Sequence, residues 1–480
     1  MASIGMHRTQ NDPRRSLSPA PGRLLLSASA LLLLTSCRMA EPDEIVTRPS
    51  VSNPTPSTGG SSSSTGGSTA AGGTSSGSGG SAGSPEAGGA AGAGTGGPTS
   101  VQCDPDPPVV TGAFTKKKLL EAAASCAVAH YCRFTAAAEH LRDATAALAE
   151  ERSEGTLQAA RDAWRAANAS WQETEVFRFG PAAPSNEPGG QNLRDLIYAW
   201  PLPARCKVDE QTVSRFYATA QFTGDSRTSL ANGRSLSALE YLLFYEGTDN
   251  GCNQFSAINS SGSWAALDEG ELFQRKSDYA AAAAADLVAN SVALINAWDP
   301  AGGNFRAELV SAGAGSSVYD SERTALNALF HGLYYVEKEV KDLKLGVPLG
   351  LQAEKCASIP CPDQLESRYA KISTDNLRWN LAGFRRLFEG CGANGDGVGF
   401  DDWLREIGAG DLADRMLAAL AAAEAAVDQL EIPLEECLIT DIDRVRGIYE
   451  AVRDLTTLLK TEFVTLLNLD RPASSGDDND

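Results

Sequence analysis

Residues 235–244 read Ser-Leu-Ser-Ala-Leu-Glu-Tyr-Leu-Leu-Phe, an apolar run that carries a single acidic residue, Glu240. Its length and its lack of strand-like alternation predict a short buried helix. Burying a carboxylate in such surroundings costs free energy unless the group is paired or coordinates something. The stretch therefore marks Glu240 as a candidate site residue.

Elsewhere in the chain, long segments rich in Ala, Leu, Glu and Arg carry apolar residues at helical spacing, and alternating strand patterns are almost absent. Gly180-Pro181 and Gly346 with Pro348 are typical helix ends, and Thr440 is predicted to be an N-cap. The sequence therefore predicts an all-α fold of two helical bundles. The predicted helices cover residues 116–151, 156–179, 211–220, 236–244, 269–298, 320–345, 376–388, 400–407, 411–430 and 440–467.

The N-terminus has the pattern of an export signal followed by a lipid attachment point. Arginines precede a short apolar run at residues 24–34, which is too short to span a membrane as a helix. The run ends in Leu-Thr-Ser-Cys, which resembles a lipobox, so we expect Cys37 to be lipidated; the alternative is a plain signal peptide. Arg38 follows, and by enteric sorting rules this favours the outer membrane. The expected location is the cell envelope, with the protein lipid-anchored and facing the periplasm or the surface.

Composition divides the rest of the chain. Gly, Ser and Pro dominate the part before residue 110, and such a segment cannot offset the entropy cost of becoming ordered. The remainder is long enough for one large or two medium domains. The predicted parts are a signal segment at 1–37, a disordered linker at 38–110, an N-terminal bundle at 111–250, a C-terminal bundle at 251–472 and a disordered tail at 473–480.

The formal net charge of −20 argues against nucleic acid and anionic lipid headgroups as partners. The same charge is compatible with cation binding, although an acidic surface more often serves only solubility.

The chain has 10 cysteines, nine of them after Cys37 is set aside. Cys126 and Cys132 are expected to lie on different faces of one helix, ~9 Å apart along its axis, and so not to pair with each other. Cys356 and Cys361 flank a short loop and could form a bridge. No Cys-x-x-Cys or Cys/His ligand spacing is recognised, so a zinc site is not expected.

Residues 235–244 resemble the signature helix of the imelysin family, helical envelope proteins of bacteria that are grouped as peptidases and linked to iron uptake. The hallmark of that family is Gly-x-His-x-x-Glu followed by Tyr-Leu-Leu-Phe. Glu240 and the tail are present here, whereas Ser237 stands at the His position and Ser235 at the Gly position.

Further stretches resemble other family blocks and appear in the family's order over roughly residues 114–469. The resemblance implies an all-helical fold of two bundles, with the site in a cleft between them. These blocks are residues 171–181, 198–202, 342–350 and 380–390.

In the family motif, His and Glu three residues apart share a helix face and can bind a divalent metal such as iron, zinc or copper. Ser237 offers only a hydroxyl, which is a poor ligand for a transition metal. Glu175 and Arg178 lie three residues apart in another block. They form either a local ion pair or part of the site, with Glu175 facing Glu240 across the bundle and Arg178 neutralising one acid. The candidate metal- or ligand-binding residues are Glu240, Ser237, Glu175 and Arg178.

The leading hypothesis is a non-catalytic or weakly active envelope protein that binds iron or another divalent metal. One alternative is a metallopeptidase, whose metal would need other ligands, for example Glu240, Glu175 and His331. Another is a structural or interaction module that has lost the site. The chain has no His-Glu-x-x-His motif and no Gly-x-Ser-x-Gly elbow, so no catalytic residue is assigned. The expected partners are the membrane, through lipid on Cys37, and a metal ion or an envelope protein.

Overall fold

The structure is a computed structural model of the 480-residue chain, and it describes residues 103–201, 204–222, 231–356, 358–392 and 395–472. Its regular elements in these ranges are all helical, which confirms the predicted all-α fold class. The signal segment, Cys37, the linker up to residue 102 and the tail lie outside the described residues.

The α-helices are α1 Lys116–Glu150, α2 Glu154–Thr174, α3 Leu193–Ile197, α4 Arg205–Ser214, α5 Leu236–Phe244, α6 Ala257–Ser260, α7 Glu269–Trp298, α8 Phe305–Val310, α9 Glu322–Leu333, α10 Ser373–Glu389, α11 Phe400–Glu406, α12 Gly410–Asp428, α13 Leu434–Thr440, α14 Ile442–Leu458 and α15 Val464–Leu466. Two π-helical segments, Val336–Gly346 and Leu459–Phe463, continue α9 and α14. Short 3-10 turns lie between the longer helices, including Glu175–Phe177 at the end of α2.

Side-chain caps fix the starts of the two longest helices, α1 and α7. The Thr115 hydroxyl accepts from the backbone N–H of Lys118 at the start of α1, and Asp268 does the same for Glu271 at the start of α7. Such caps satisfy backbone donors that have no partner within the helix. The predicted cap at Thr440 is wrong: its hydroxyl donates back to the carbonyl of Glu436, so Thr440 ends α13 instead of starting α14.

The long helices pack in two groups. In the first, α1 lies against both α2 and α7, and α5 contacts α2 and α7. In the second, α14 packs against α12 and the π-helix Val336–Gly346. Helix α10 contacts α12, the same π-helix and α2. Helix α7 follows residue 250 in the chain and yet packs with the first group, so the first group extends beyond residue 250. The predicted boundary between residues 250 and 251 stays a prediction.

Helix α7 is long and apolar enough to cross a membrane by length and composition alone, with a mean hydropathy of 1.4 over its most apolar window. However, 56% of that window is buried inside the protein. Because α7 packs along α1, its apolar character is that of a core helix.

Four disulfides cross-link the described part of the chain: Cys103–Cys132, Cys126–Cys391, Cys206–Cys252 and Cys356–Cys361. The bridge predicted between Cys356 and Cys361 is confirmed, as is the expectation that Cys126 and Cys132 do not pair with each other. The Cys126–Cys391 bond joins positions 265 residues apart and connects α1 to the segment after α10.

The backbone of Val176 lies so close to Gly332 that a larger residue at this position should destabilise the protein. A Cβ atom there would lie 2.3 Å from the carbonyl oxygen of Val176, so α9 would have to move away from the turn after α2. We expect Gly332→Ala to lower the free energy of unfolding by about 1–3 kcal/mol. The matched control is Gly447→Ala on the exposed side of α14, where a Cβ meets nothing within 4 Å. It should be neutral or stabilise the protein by about 0.5–1 kcal/mol. Urea denaturation of both variants checks the difference, and equal midpoints would contradict the close contact.

Candidate functional site

Glu240 lies on α5 and is only 6% exposed. Its Oε1 accepts hydrogen bonds from the backbone N–H groups of Tyr369 (2.8 Å) and Ala370 (3.1 Å). Burial raises the pKa of Glu240 to about 7; the two N–H groups oppose the shift and the nearby carboxyl of Glu366 adds to it. Both hydrogen bonds recorded for this carboxylate in the described part of the chain go to Oε1. Its Oε2 is therefore the oxygen that can receive a ligand.

Ser237, at the position of the family's histidine, is buried at the start of α5. Its hydroxyl lies 2.8 Å from the hydroxyl of Ser235, and either oxygen can donate. The two serines that replace the motif's Gly and His thus bond to each other.

Glu366 is the second carboxylate near Glu240 and is 1% exposed. The ammonium of Lys344, itself 2% exposed, lies 2.9 Å from its Oε2. Buried ions need such a partner because desolvating an isolated charge is very costly. Neutral groups complete the contacts: Tyr198, Gln172 and Asn376 donate to Glu366, and Lys344 donates to Gln172 and Asn380.

Glu175 lies in the 3-10 turn at the end of α2 and pairs with Arg194, whose Nη2 is 2.8 Å from its Oε2. The indole N–H of Trp171 also donates to Glu175. Arg178 forms an ion pair with Glu339 instead. The ion pair between Glu175 and Arg178, one of the two alternatives that the sequence left open, is therefore not formed.

Electrostatic interactions join these pairs into one group. Burial lowers the pKa of Lys344, and both Glu366 and Glu175 oppose that shift. Burial also raises the pKa of Tyr335, and Glu175, Glu366 and Glu339 raise it further. These charges therefore act on common neighbours. We refer to Glu175, Arg194, Tyr198, Tyr335, Lys344 and Glu366 as the buried charge network.

The π-helix Val336–Gly346 carries Lys344, a member of the buried charge network, and Glu339, the partner of Arg178. Short π-helical insertions occur frequently at functional sites. A second ion cluster joins this element to the other π-helix, Leu459–Phe463: Glu337 Oε1 is 3.0 Å from the ammonium of Lys341 and 2.8 Å from that of Lys460. The element thus concentrates buried charge.

A cavity of about 1100 Å³ opens beside the network. Its lining includes Arg178, Glu339, Tyr335, His331 and Lys338. The hydroxyl of Tyr335 is buried and has no hydrogen-bond partner among the described residues, which is unusual for a buried polar group. Of the predicted site residues, Arg178 lines this cavity, Glu175 belongs to the network and Glu240 lies close to the network's Glu366.

The described histidines do not complete a metal site at Glu240. His331 Nδ1 lies 3.7 Å from Glu187, and its Nε2 is 3.2 Å from the carbonyl of Asp470. His140 is exposed on α1. His130 is buried against the ring of Phe177, and burial with the nearby arginines lowers its pKa to about 3, so its imidazole is neutral at pH 7.

Glu366, Lys344 and Arg194 were not predicted as site residues from the sequence. Lys344 lies within one of the family-like blocks, between Leu343 and Leu345, and its apolar neighbours were a signal of burial. Glu366 lies between helices, where no periodicity indicates which residues are buried. Lys344 pairs with Glu366 and Arg194 with Glu175, and the local spacing of residues does not indicate such pairs between distant parts of the chain.

Comparison with known proteins gives the family. The imelysin (peptidase M75) family model matches residues 127–461, well over half of the chain. Iron-regulated protein A of Synechococcus elongatus is 27% identical over 275 residues, which are 57% of this chain and 64% of that protein. The match thus spans less than two thirds of the relative's length.

Two solved structures share the fold. A protein from Parabacteroides distasonis described as an iron-regulated protein A precursor superposes with a TM-score of 0.55 at 17% identity, covering 74% of this chain and 96% of that one. An imelysin-like protein from Psychrobacter arcticum gives a TM-score of 0.52 at 19% identity, covering 75% and 99%. Together with the family match, the ordered blocks and the helical architecture, these likenesses show that the chain belongs to the imelysin family.

Proposed function

We propose that this protein is an iron-associated binding protein of the cell envelope, in which Glu240 Oε2 binds a divalent metal ion such as Fe²⁺. The observation that carries the proposal is the buried carboxylate of Glu240, which keeps one oxygen available beside a second acid, Glu366. Carboxylate oxygens bind Fe²⁺, and a nearby second acid favours a cation over an empty site. The relative from Synechococcus elongatus is named for iron regulation, which supports the choice of metal.

We favour metal binding over peptide hydrolysis because the residues that would hold a catalytic metal ion are missing or engaged elsewhere. Catalytic zinc sites hold the metal with three protein ligands and leave one position open for water. Ser237 replaces the imidazole, Glu175 is engaged by Arg194, and His331 contacts Glu187 and Asp470. The metallopeptidase assembled from Glu240, Glu175 and His331 therefore has no support in the described geometry.

A structural or interaction module that has lost the site is the second candidate, and one observation favours it. The ammonium of Lys344 lies among oxygens of Glu366, Gln172 and Asn380 at 2.6–2.9 Å. An internal cation thus already neutralises the acid next to Glu240. Metal titration separates the two candidates.

We expect the protein to bind one Fe²⁺ per chain under anaerobic conditions, and Glu240→Gln to weaken that binding at least tenfold. The amide keeps the size of the side chain but removes its charge. Because a metal must displace the proton from a carboxyl whose pKa is about 7, affinity should rise about tenfold between pH 6 and pH 8. Isothermal titration calorimetry with Fe²⁺ measures both effects.

The matched control is Glu246→Gln, just beyond the end of α5, whose side chain is 79% exposed and pairs with Arg161. It should bind Fe²⁺ as the wild-type protein does. Equal loss in both variants would show nonspecific binding to an acidic surface. No binding by the wild-type protein would favour the structural module.

The envelope location rests on the N-terminal sequence, and we propose that Cys37 carries the lipid anchor. Multiple acyl chains give stable membrane attachment, whereas a single chain does not. We expect Cys37→Ser to move the protein from the membrane to the soluble fraction after expression of the full chain in a bacterial host. Intact mass of the wild-type protein should show a diacylglycerol on a chain that begins at Cys37. An unmodified chain cleaved elsewhere would support the plain signal peptide.

A further inference from the structure

A second cavity, of about 430 Å³, lies between α1 and the segment that follows α10. Its lining includes Cys126, His130 and Arg133 from α1, and Arg386 and Cys391 from the end of α10 and the residues after it. None of these residues belongs to the buried charge network.

Three potential metal ligands meet in this cavity. Cys126 and His130 are four residues apart on α1 and therefore share a face. Both sulfur atoms and a ring nitrogen of His130 lie within 4.8 Å of one another. The Cα atoms of Cys126 and Cys391 are 5.7 Å apart across their disulfide. Two cysteines and one histidine on two separate elements thus converge on one point.

The distances suit a thiophilic metal once the disulfide is open. With bonds of ~2.0–2.3 Å, the ligand atoms of a tetrahedral zinc site lie roughly 3.5 Å from one another, so small side-chain rotations suffice. Two thiolates and an imidazole make a typical ligand set for Zn²⁺, and solvent in the cavity can supply the fourth ligand.

The surroundings also support thiolate chemistry. His130 is 3% exposed, and its ring is stacked on Phe177 with centroids 4.9 Å apart, which holds the imidazole in place. Arg133 and Arg386 line the same cavity. Neighbouring cations stabilise the thiolate form of cysteine, which is the form that binds metal.

We propose that Cys126, Cys391 and His130 form a redox-gated site that binds Zn²⁺ when the disulfide is reduced and cannot bind it when the disulfide is closed. A dithiol reductant passes two electrons and two protons to the bond, so that Cys126 and Cys391 become thiols and the reductant becomes a disulfide. Zn²⁺ then displaces one proton from each thiol to solvent. Oxidation of the two thiolates by a disulfide oxidant releases the metal and restores the cross-link.

The other disulfides provide internal comparisons. Cys103–Cys132 involves the same helix, six residues further on, but it is not part of any such ligand group among the described residues. Cys206 and Cys252 lie near Glu210, whose carboxylate is 3.8 Å from the ammonium of Lys207. Only the Cys126–Cys391 pair adds an imidazole, within the part of the chain that the structure describes.

The test uses the full chain, reduced with a phosphine, freed of reductant under anaerobic conditions and titrated with Co²⁺ as a coloured substitute for Zn²⁺. The reduced protein should bind one equivalent with a sulfur-to-cobalt charge-transfer band that Zn²⁺ abolishes, and the oxidised protein should show no band. His130→Gln should weaken Co²⁺ binding at least tenfold, whereas Cys103→Ser with Cys132→Ser should leave the band unchanged.

Alkylation of the reduced chain, read by peptide mass spectrometry, locates the site independently. Zn²⁺ should protect Cys126 and Cys391 and leave Cys103 and Cys132 reactive. The proposal is overturned if His130→Gln binds as tightly as the wild-type protein, if the oxidised protein shows the same band, or if Zn²⁺ protects all cysteines alike. Loss of the helical circular dichroism signal on reduction also overturns it, because no preformed site would then exist.

Discussion

Replacing Lys344 with methionine is expected to lower the free energy of unfolding by about 3–5 kcal/mol, because it leaves the carboxylate of Glu366 buried without its cation. Methionine fills a similar volume, so the loss reports the missing charge and not a cavity. Three strong contacts of the ammonium disappear at once, to Glu366, Gln172 and Asn380. Chemical denaturation at pH 7, followed by circular dichroism, measures the change.

Two further variants make this result specific. Lys117→Met, at an exposed position near the start of α1, should leave the denaturation midpoint unchanged. Adding Glu366→Gln to Lys344→Met should recover much of the lost stability, because no unpaired ion then remains in the core. If the double variant is as unstable as Lys344→Met alone, the lost stability comes from packing, and the ion pair between Lys344 and Glu366 is not its cause.

Replacing Glu240 with glutamine is expected to raise the free energy of unfolding at pH 8 by about 3 kcal/mol, while it weakens metal binding. The pKa of Glu240 is raised from 4.5 to about 7, mainly by burial; Glu366 contributes to this rise and Arg368 opposes it. The folded state therefore favours the protonated acid. Stability of the wild-type protein should fall as the pH rises from about 4.5 to 7, and then stay low.

Glutamine removes this pH dependence because it is neutral at every pH, and its carbonyl oxygen can still accept from the N–H groups of Tyr369 and Ala370. The increase in the free energy of unfolding should be present at pH 8 and vanish near pH 4. Thermal denaturation at both values, with Glu246→Gln as the control, measures it. An equal effect at both pH values would show that titration of Glu240 is not its cause. A variant that is more stable but binds metal less well is the usual sign of a functional residue kept at a cost in stability.

The bounds of a helix could be predicted well from the sequence where the helix stays α-helical along its whole length. The bounds of α5 and α7 coincide with those predicted, and α1 ends one residue earlier. The predicted helices at 320–345 and 440–467 each change into a π-helix partway along. Apolar periodicity does not distinguish such a change because it depends on how neighbouring elements pack.

The candidate site could be predicted only in part, because its pairs join distant parts of the chain. Glu240 was found because it is the single acid in an apolar run. The partner of Glu175 was not found, since Arg194 is 19 residues away on another helix. The group of Cys126, His130 and Cys391 was not predicted, because Cys391 reaches the two residues of α1 only through the fold. Local patterns identify buried helices, whereas charge pairing requires the three-dimensional arrangement.

The Cys126–Cys391 bond closes a covalent ring that contains every residue of the buried charge network and also Glu240. A chain denatured without reductant stays looped at this bond, so its unfolded ensemble is smaller and refolding begins with these residues held nearer to one another. A protease that cuts the backbone once inside the ring leaves both fragments attached. The two fragments that carry the buried charge network therefore stay covalently joined even after the peptide chain is cut.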